Sequence, residues 1–326
     1  MSDPVCPIRT VSGTGRTGSW EVLVDVAIVA EEAAGARALQ RVARSDHRPA
    51  VVLTASSPDE AGSVAATAAG LGVPTLRADR VRDPALADDL RARGVDVLLN
   101  VHSLHLVRPE VLDAPRVGAF NLHPGPLPEC AGLNAPSWAI ARGHAEHGVT
   151  LHWMEAGIDT GDVVEQVRFP ITDEDTGLTV SVRCISHGQE LVDRLLAHLD
   201  TGTVPRHPQD PSARQYFGRG VPHEGRVPWS APAREVLAFL RACDYGPYPS
   251  PWGVPRTCRN GAEEIGVVRA AATGRSCADR TPGEVDRDDE GPVVATADTW
   301  IRPRRVVVDG RGTDPAEVLT PGDRLT

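Results

Sequence analysis

The sequence predicts an α/β protein, with a Rossmann-like, mostly parallel sheet covered by helices on both faces, followed by a small β-rich C-terminal domain. Two observations carry this. Strand-like and helix-like patterns alternate over the first 200 residues, and the strands are continuous apolar runs, as strands buried on both faces require. Beyond residue 255, short β-like runs are separated by Gly- and Asp-rich turns, as in a small barrel or sandwich. A length of 326 residues has room for about two domains.

Residues 1–20 are Gly, Thr, Ser and Arg with little periodicity and read as a flexible tail. They contain a G-x-G-x-x-G match at Gly13, Gly15 and Gly18. A dinucleotide fingerprint needs a strand before it and a helix after it; here a strand-like run follows, so the match reads as a linker. Strands are then predicted at 24–30, 50–54, 73–76, 95–101 and 117–121, and helices at 33–44, 59–70 and 84–93, the last stopped by Gly94. Asn134 is placed to cap a helix with Pro136 in its first turn and Gly143 at its end. Strands at 148–154 and 163–169 follow. Leu178, Val182, Ile185, Val192, Leu196 and Leu199 keep the spacing of an amphipathic helix, interrupted at Gln189. The expected domain plan is thus a catalytic domain at 21–203, a Pro-rich connector at 204–230, and a C-terminal domain at 231–326. The last opens with a helix at 233–243 and carries strands at 265–270, 293–297 and 306–308.

The net charge is −10, with 34 basic against 44 acidic side chains, and every basic residue is Arg. Without Lys there is no lysine Schiff base and no P-loop. The acidic balance and sparse aromatics (6 Trp, 3 Tyr, 4 Phe) argue against nucleic acid or an anionic membrane as partner. From Val227 onward, 13 Arg face 15 Asp and Glu, a net of −2 that makes no tRNA-binding surface. The six cysteines form no C-x-x-C, and the N-terminus has no apolar core of signal-peptide length. A cytoplasmic protein with reduced thiols is expected.

The chemistry concentrates between Val117 and Asp162. An apolar strand ends in Asn121-Leu122-His123, and Pro124 and Gly125 break it at once. In an open α/β sheet, residues just past a strand's C-terminal end face the ligand crevice. Alternation puts Asn121 and His123 on one side of the strand. Asp159 lies in an Ile-Asp-Thr-Gly-Asp loop after the strand ending at Met154. A carboxylate, an imidazole and a carboxamide therefore converge at one sheet edge. Both charged groups are expected at strand ends facing solvent. His102 and His105 have a metal-like H-x-x-H spacing without a third ligand, and are read as non-metal.

Asn121-Leu122-His123-Pro124, then Leu127, Pro128 and Gly132, then Asp159 to Asp162, resemble the folate-dependent formyltransferase family. That family includes methionyl-tRNA, glycinamide ribonucleotide and amino-sugar formyltransferases. Tyr216 to Arg219, Pro222, Glu224-Gly225 and Trp229 are similar to the segment that precedes its second domain. The C-terminal stretch resembles its open, OB-like barrel. The resemblance implies 10-formyltetrahydrofolate as co-substrate, no metal, and Asn121, His123 and Asp159 as the catalytic set. His123 would take the amine's proton, Asn121 would donate to the tetrahedral oxyanion, and Asp159 would hold the imidazole's tautomer and raise its proton affinity. It further implies folate contacts at Val101, His102, Leu104, Leu106, Ile158 and Asp162, and substrate contacts at Gly125, Glu129 and Asn134. Where many members carry a basic residue, this chain has Glu129, which reads either as a site for a cationic amine or as a solvated loop charge. The run from Ala131 to Trp138 is most similar to formylation enzymes of nonribosomal peptide and other specialised metabolism. The implied acceptor is a small-molecule amine or a carrier-protein-bound amino acid. A nucleotide-linked amino sugar or Met-tRNA is the alternative acceptor, and a formyltetrahydrofolate hydrolase or a non-catalytic binding module the more distant reading.

Overall fold

The computed structural model describes Cys6–Pro7 and residues 23–326. Cys6–Pro7 pairs antiparallel with Thr203–Val204, so the expected loose tail carries one strand pairing. The Gly13, Gly15 and Gly18 match lies outside the described residues. By contact the chain forms two compact units. The first holds the described residues up to Gly132, with Gly148–Arg168 and Arg183–Tyr216; the second holds Leu133–His147, Phe169–Val182 and Phe217–Thr326.

The main sheet contains β1 (Asp25–Ala30), β2 (Arg48–Thr54), β3 (Thr75–Arg77), β4 (Val97–Val101), β5 (Gly118–His123), β6 (Glu146–Trp153) and β7 (Val163–Pro170), in the order β3-β2-β1-β4-β5-β6-β7. β1 to β5 pair in parallel, and β6 runs antiparallel to β5. The apolar runs are continuous because the sheet has a core on each face. Val26, Ile28, Val97 and Leu99 enter one core with Leu39 and Leu191; the intervening Ala27, Val29 and Leu98 enter the other with Leu86 and Leu90. Burying each such Leu or Ile contributes about 1.5–3 kcal/mol.

The helices are α1 (Glu32–Arg44), α2 (Val64–Gly70), α3 (Leu86–Ala92), α4 (Pro109–Leu112), α5 (Ala135–Ala141) and α6 (Gly177–Asp200). α2 starts later than its Ala-rich pattern suggests because Ser63 is the cap, its hydroxyl accepting from the Ala66 N–H at 3.1 Å. α3 is stopped at Gly94, which takes a left-handed φ of 72°. The gap at Gln189 in the α6 stripe is a buried glutamine that donates to the Ala34 carbonyl at 3.3 Å, so the face stays buried there.

In the second unit, α7 (Ala233–Cys243) packs on an antiparallel sheet of β8 (Arg256–Arg259), β9 (Glu263–Ser276), β10 (Val285–Asp288), β11 (Gly291–Ala295), β12 (Thr299–Val308) and β13 (Arg311–Thr313). The order is β8-β9-β12-β11-β10, with β13 on β12. The expected barrel-like closure has a visible cause. Arg324 bridges Glu284 beside β10, and Leu325 bridges Arg259 on β8, so the C-terminal residues join the two sheet edges. Register shifts along β9 and β12 supply the curvature. β8, β10 and β13 escaped the sequence reading because they are short and charged, and are held by ladder pairing more than by apolar alternation.

Candidate active site

Three strands present one polar row. Asn100 on β4 stands opposite Asn121 on β5, and Asn121 stands opposite His152 on β6. Two residues on, His123 faces Thr150. The intervening Leu122 points into the core. The loop after β6 then returns Asp159 to this row. Gly161 in that loop has no room for a side chain, because a Cβ would collide with the Trp153 carbonyl oxygen. Asp159 itself holds a left-handed φ of 53°.

The Asp159 carboxylate is the hub. Its Oδ2 accepts from the Gly132 N–H at 2.8 Å and lies 3.6 Å from His123 Nδ1; its Oδ1 lies 3.6 Å from His152 Nε2 and 3.4 Å from Asn121 Nδ2. Asn121 also donates to His152 Nε2 at 3.0 Å and accepts from Asn100 Nδ2 at 2.8 Å. Two carbonyls decide the histidine tautomers. His152 Nδ1 lies 2.7 Å from the Trp153 oxygen, and His123 Nε2 lies 2.7 Å from the Cys130 oxygen. A carbonyl only accepts, so each of those nitrogens carries the hydrogen. In neutral His123 the lone pair is therefore on Nδ1, toward Asp159.

These facts correct two expectations and qualify a third. His123 and Asp159 do not face solvent: His123 is buried and the Asp159 side chain is only 10% exposed. The His123 tautomer is held by the Cys130 carbonyl rather than by Asp159. Asp159 does raise the proton affinity of His123, as expected, but not enough to offset burial. Burial is the largest influence and holds the imidazole below its ordinary value, although Asp159 and the Cys130 carbonyl pull it upward. For Asp159 burial is again the largest single influence and favours the acid. His123, His152 and the Gly132 N–H together outweigh it, keeping the carboxyl well below the usual range. The Cys130 thiol is pushed up to about 12, chiefly by burial, and is no nucleophile.

The other expected contacts divide. Leu104, Leu106 and Ile158 are apolar and 78%, 64% and 41% exposed, all in the same unit as the triad. Nearby in sequence, Asn100 Oδ1, Ser103 Oγ and His105 Nδ1 are buried without a partner. Val101 does not join them: its side chain lies in the core and its carbonyl accepts from the Glu31 N–H at 3.1 Å. His102, at a φ of 59°, turns Nδ1 to Glu32 at 3.2 Å, and Asp162 pairs with Arg206 at 3.3 Å. Among the described residues no cluster of three or more His, Cys, Asp or Glu is arranged to hold a metal. Gly125 is a backbone element, its carbonyl accepting from Thr150 Oγ1 at 2.7 Å. Glu129 meets Arg168 through Oε1 at 2.8 Å, while its Oε2 is buried without a hydrogen-bond partner. Asn134 belongs to the second unit and sits at the N-cap of α5 with φ 55°, but its side chain makes no capping bond. The sequence reading missed His152 as a site residue. Its signal was the alternation Thr150, His152 in a strand running into the Asp159 loop.

The formyl transferase family model matches residues 9–196, more than half of the chain, and the model for the formyl transferase C-terminal domain matches residues 221–322. Among solved structures, an N-formyltransferase from Helicobacter canadensis, in complex with folinic acid and dTDP-3-aminofucose, superposes with a TM-score of 0.65 at 16% identity, over 86% of this chain and 99% of that one. A sugar N-formyltransferase from Shewanella gives 0.59 at 17% identity, covering 75% and 96%. HypX from Aquifex aeolicus, in complex with tetrahydrofolic acid, gives 0.57 at 20% identity, covering 90% of this chain and 46% of that longer one. At these identities the three likenesses speak for the fold. With both family domains matched in order along it, the chain belongs to the formyl transferase family.

Proposed function

We propose that the protein is an amine N-formyltransferase that moves the formyl group of 10-formyltetrahydrofolate to a small-molecule amine or a carrier-tethered amino acid, in the cytoplasm. The observation that carries this is the convergence of Asn121, His123 and Asp159, with His152, at the ends of β5 and β6. The co-substrate fits the residues present. A pterin needs an apolar face and several hydrogen-bonding edges. The exposed Leu104, Leu106 and Ile158 offer the first, and the unpartnered Asn100 Oδ1, Ser103 Oγ and His105 Nδ1 the second.

In the reaction the amine nitrogen attacks the formyl carbon. His123 Nδ1, left basic by its Nε2–H bond to Cys130, takes the amine's proton. Asp159, already ionised 3.6 Å away, stabilises the imidazolium. The developing oxyanion competes for the Asn121 N–H that now makes only a 3.4 Å contact with Asp159. His123 then returns the proton to the departing folate nitrogen.

The run from Ala131 to Trp138, similar to formylation domains of specialised metabolism, supports a metabolite or carrier-bound acceptor. The sugar N-formyltransferases among the fold neighbours support a nucleotide-linked amino sugar as the second reading. A mass-spectrometric screen with 10-formyltetrahydrofolate against free amino acids, aminoacyl carrier proteins and nucleotide-linked amino sugars distinguishes them. One formyl group gained by a member of the first two sets is expected. Gain only on the sugars would select the second reading, and folate release without any amine would make the protein a hydrolase.

A further inference from the structure

Residues 204–216 lie between the stretches matched by the two family models, and the sequence reading gives them only a connecting role. In the structure they run over both catalytic loops. Trp153 Nε1 donates to the Pro205 carbonyl at 2.8 Å, and His207 exchanges backbone bonds with Val163. The Arg206 guanidinium lies 3.6 Å above the Trp153 ring. Gln209 Nε2 donates to the carbonyls of Asp159 at 3.0 Å and Gly161 at 2.7 Å. Arg214 donates to the carbonyls of Ile158 at 2.8 Å and Asp159 at 3.4 Å. Next in the chain, the Gln215 N–H donates to the Pro128 carbonyl at 3.2 Å and its carbonyl accepts from Ala131 at 3.0 Å.

Asp159 needs such support. A non-glycine residue at φ 53° occupies a sparsely populated region and stays there only when its surroundings over-determine it. We propose that Gln209 and Arg214 are positioning residues for formyl transfer, fixing the Asp159 backbone so that its carboxylate stays between His123 and His152. The proposal rests on the site reading given above. Its electrical consequence can be read at His123, which is faced by Asp159 from the loop, His152 from β6 and His102 from the end of β4. Only Asp159 among them favours the imidazolium, so loosening the clamp lowers the His123 titration midpoint.

The test uses the full chain. Gln209→Leu keeps the volume and adds no charge but removes the donor that two carbonyls need; Arg214→Ala removes the second donor set, and Arg214→Lys restores one charge-bearing donor. Histidine titration by NMR in the free protein should show the His123 midpoint falling by about one unit in Gln209→Leu and Arg214→Ala. The rate of formyl transfer from 10-formyltetrahydrofolate to the best amine of the screen should fall by about ten- to a hundredfold, with partial recovery in Arg214→Lys. Asp159→Asn is the control. If Asp159→Asn keeps full activity, the site reading itself fails. If Asp159→Asn is inactive while the clamp variants keep the wild-type midpoint, the positioning role is overturned, including the case in which they lose only melting temperature.

Discussion

In the C-terminal sheet, Arg302 is nearly buried, yet its guanidinium is taken up by Asp288 at 2.6 Å and by Glu290, and Arg259, Arg275 and Arg280 likewise meet carboxylates. At the C-terminal end of β4, by contrast, Asn100 Oδ1, Ser103 Oγ and His105 Nδ1 are buried without partners, and His102 there and Asp159 in the loop after β6 hold left-handed backbone. Both regions bury polarity, and in water-like solvent neither gains much from doing so. The first meets its charge locally, which makes it structural, and leaves one nitrogen, Arg302 Nε, without a bond. The second leaves donors and acceptors unfinished, and a folded chain retains such a cost where a ligand completes the set.

That contrast breaks first at the triad. His123→Ala should lower kcat by about two to four powers of ten, and Asp159→Ala by a similar factor. Asn121→Asp should follow closely, at about two to three powers of ten, because it replaces an oxyanion donor with a negative charge. Because the site is buried, each change also leaves partners unpaired and should cost about 1–3 kcal/mol in a denaturant melt. Steady-state rates on folded protein separate the two effects, and a triad variant with wild-type kcat would remove the assignment.

On the other side of the comparison, Arg302→Ala should destabilise the protein by about 1.5–3 kcal/mol, since it strips Asp288 and Glu290 of a charged donor. Its kcat per folded molecule should match wild type. A kinetic defect there with an unchanged melting curve would erase the distinction between structural and functional polarity.

The pH dependence sharpens the site further. His123 works as a base only when neutral, and burial holds its pKa below the ordinary value of about 6.5. Activity is therefore fully present at neutral pH and is lost only as the pH falls through that depressed pKa. A kcat/KM profile with an acid limb above about 6.5 would show that Asp159 outweighs burial after all.

The smallest effect concerns salt. Arg304 and Arg305 are exposed while Arg302 is committed to its carboxylates, which leaves a weak anionic-ligand footprint. Formyl transfer to the true amine should change by less than about twofold over salt concentrations that cost a phosphate-binding protein orders of magnitude. Efficient, steeply salt-sensitive formylation of Met-tRNA would contradict this.

Alternation and apolar runs were enough to place β1, β4, β5 and α6 within a few residues, because buried strands and amphipathic helices write their environment into residue type. The sequence also marked Asn121 and His123, since strand pleating puts alternate residues on one side and Pro124 with Gly125 ends the strand there. Only the tertiary structure decided the rest. Which strand lies beside β5 is a matter of topology, so His152 became a neighbour of Asn121 only through the antiparallel register of β6. The partner of Glu129, the carbonyl that holds His123, and the clamp from Gln209 and Arg214 all join residues distant in sequence or use backbone atoms, which every residue type carries alike. Periodicity reports how much a side chain is buried; it does not report what it is buried against, and the chemistry of this site depends on the second.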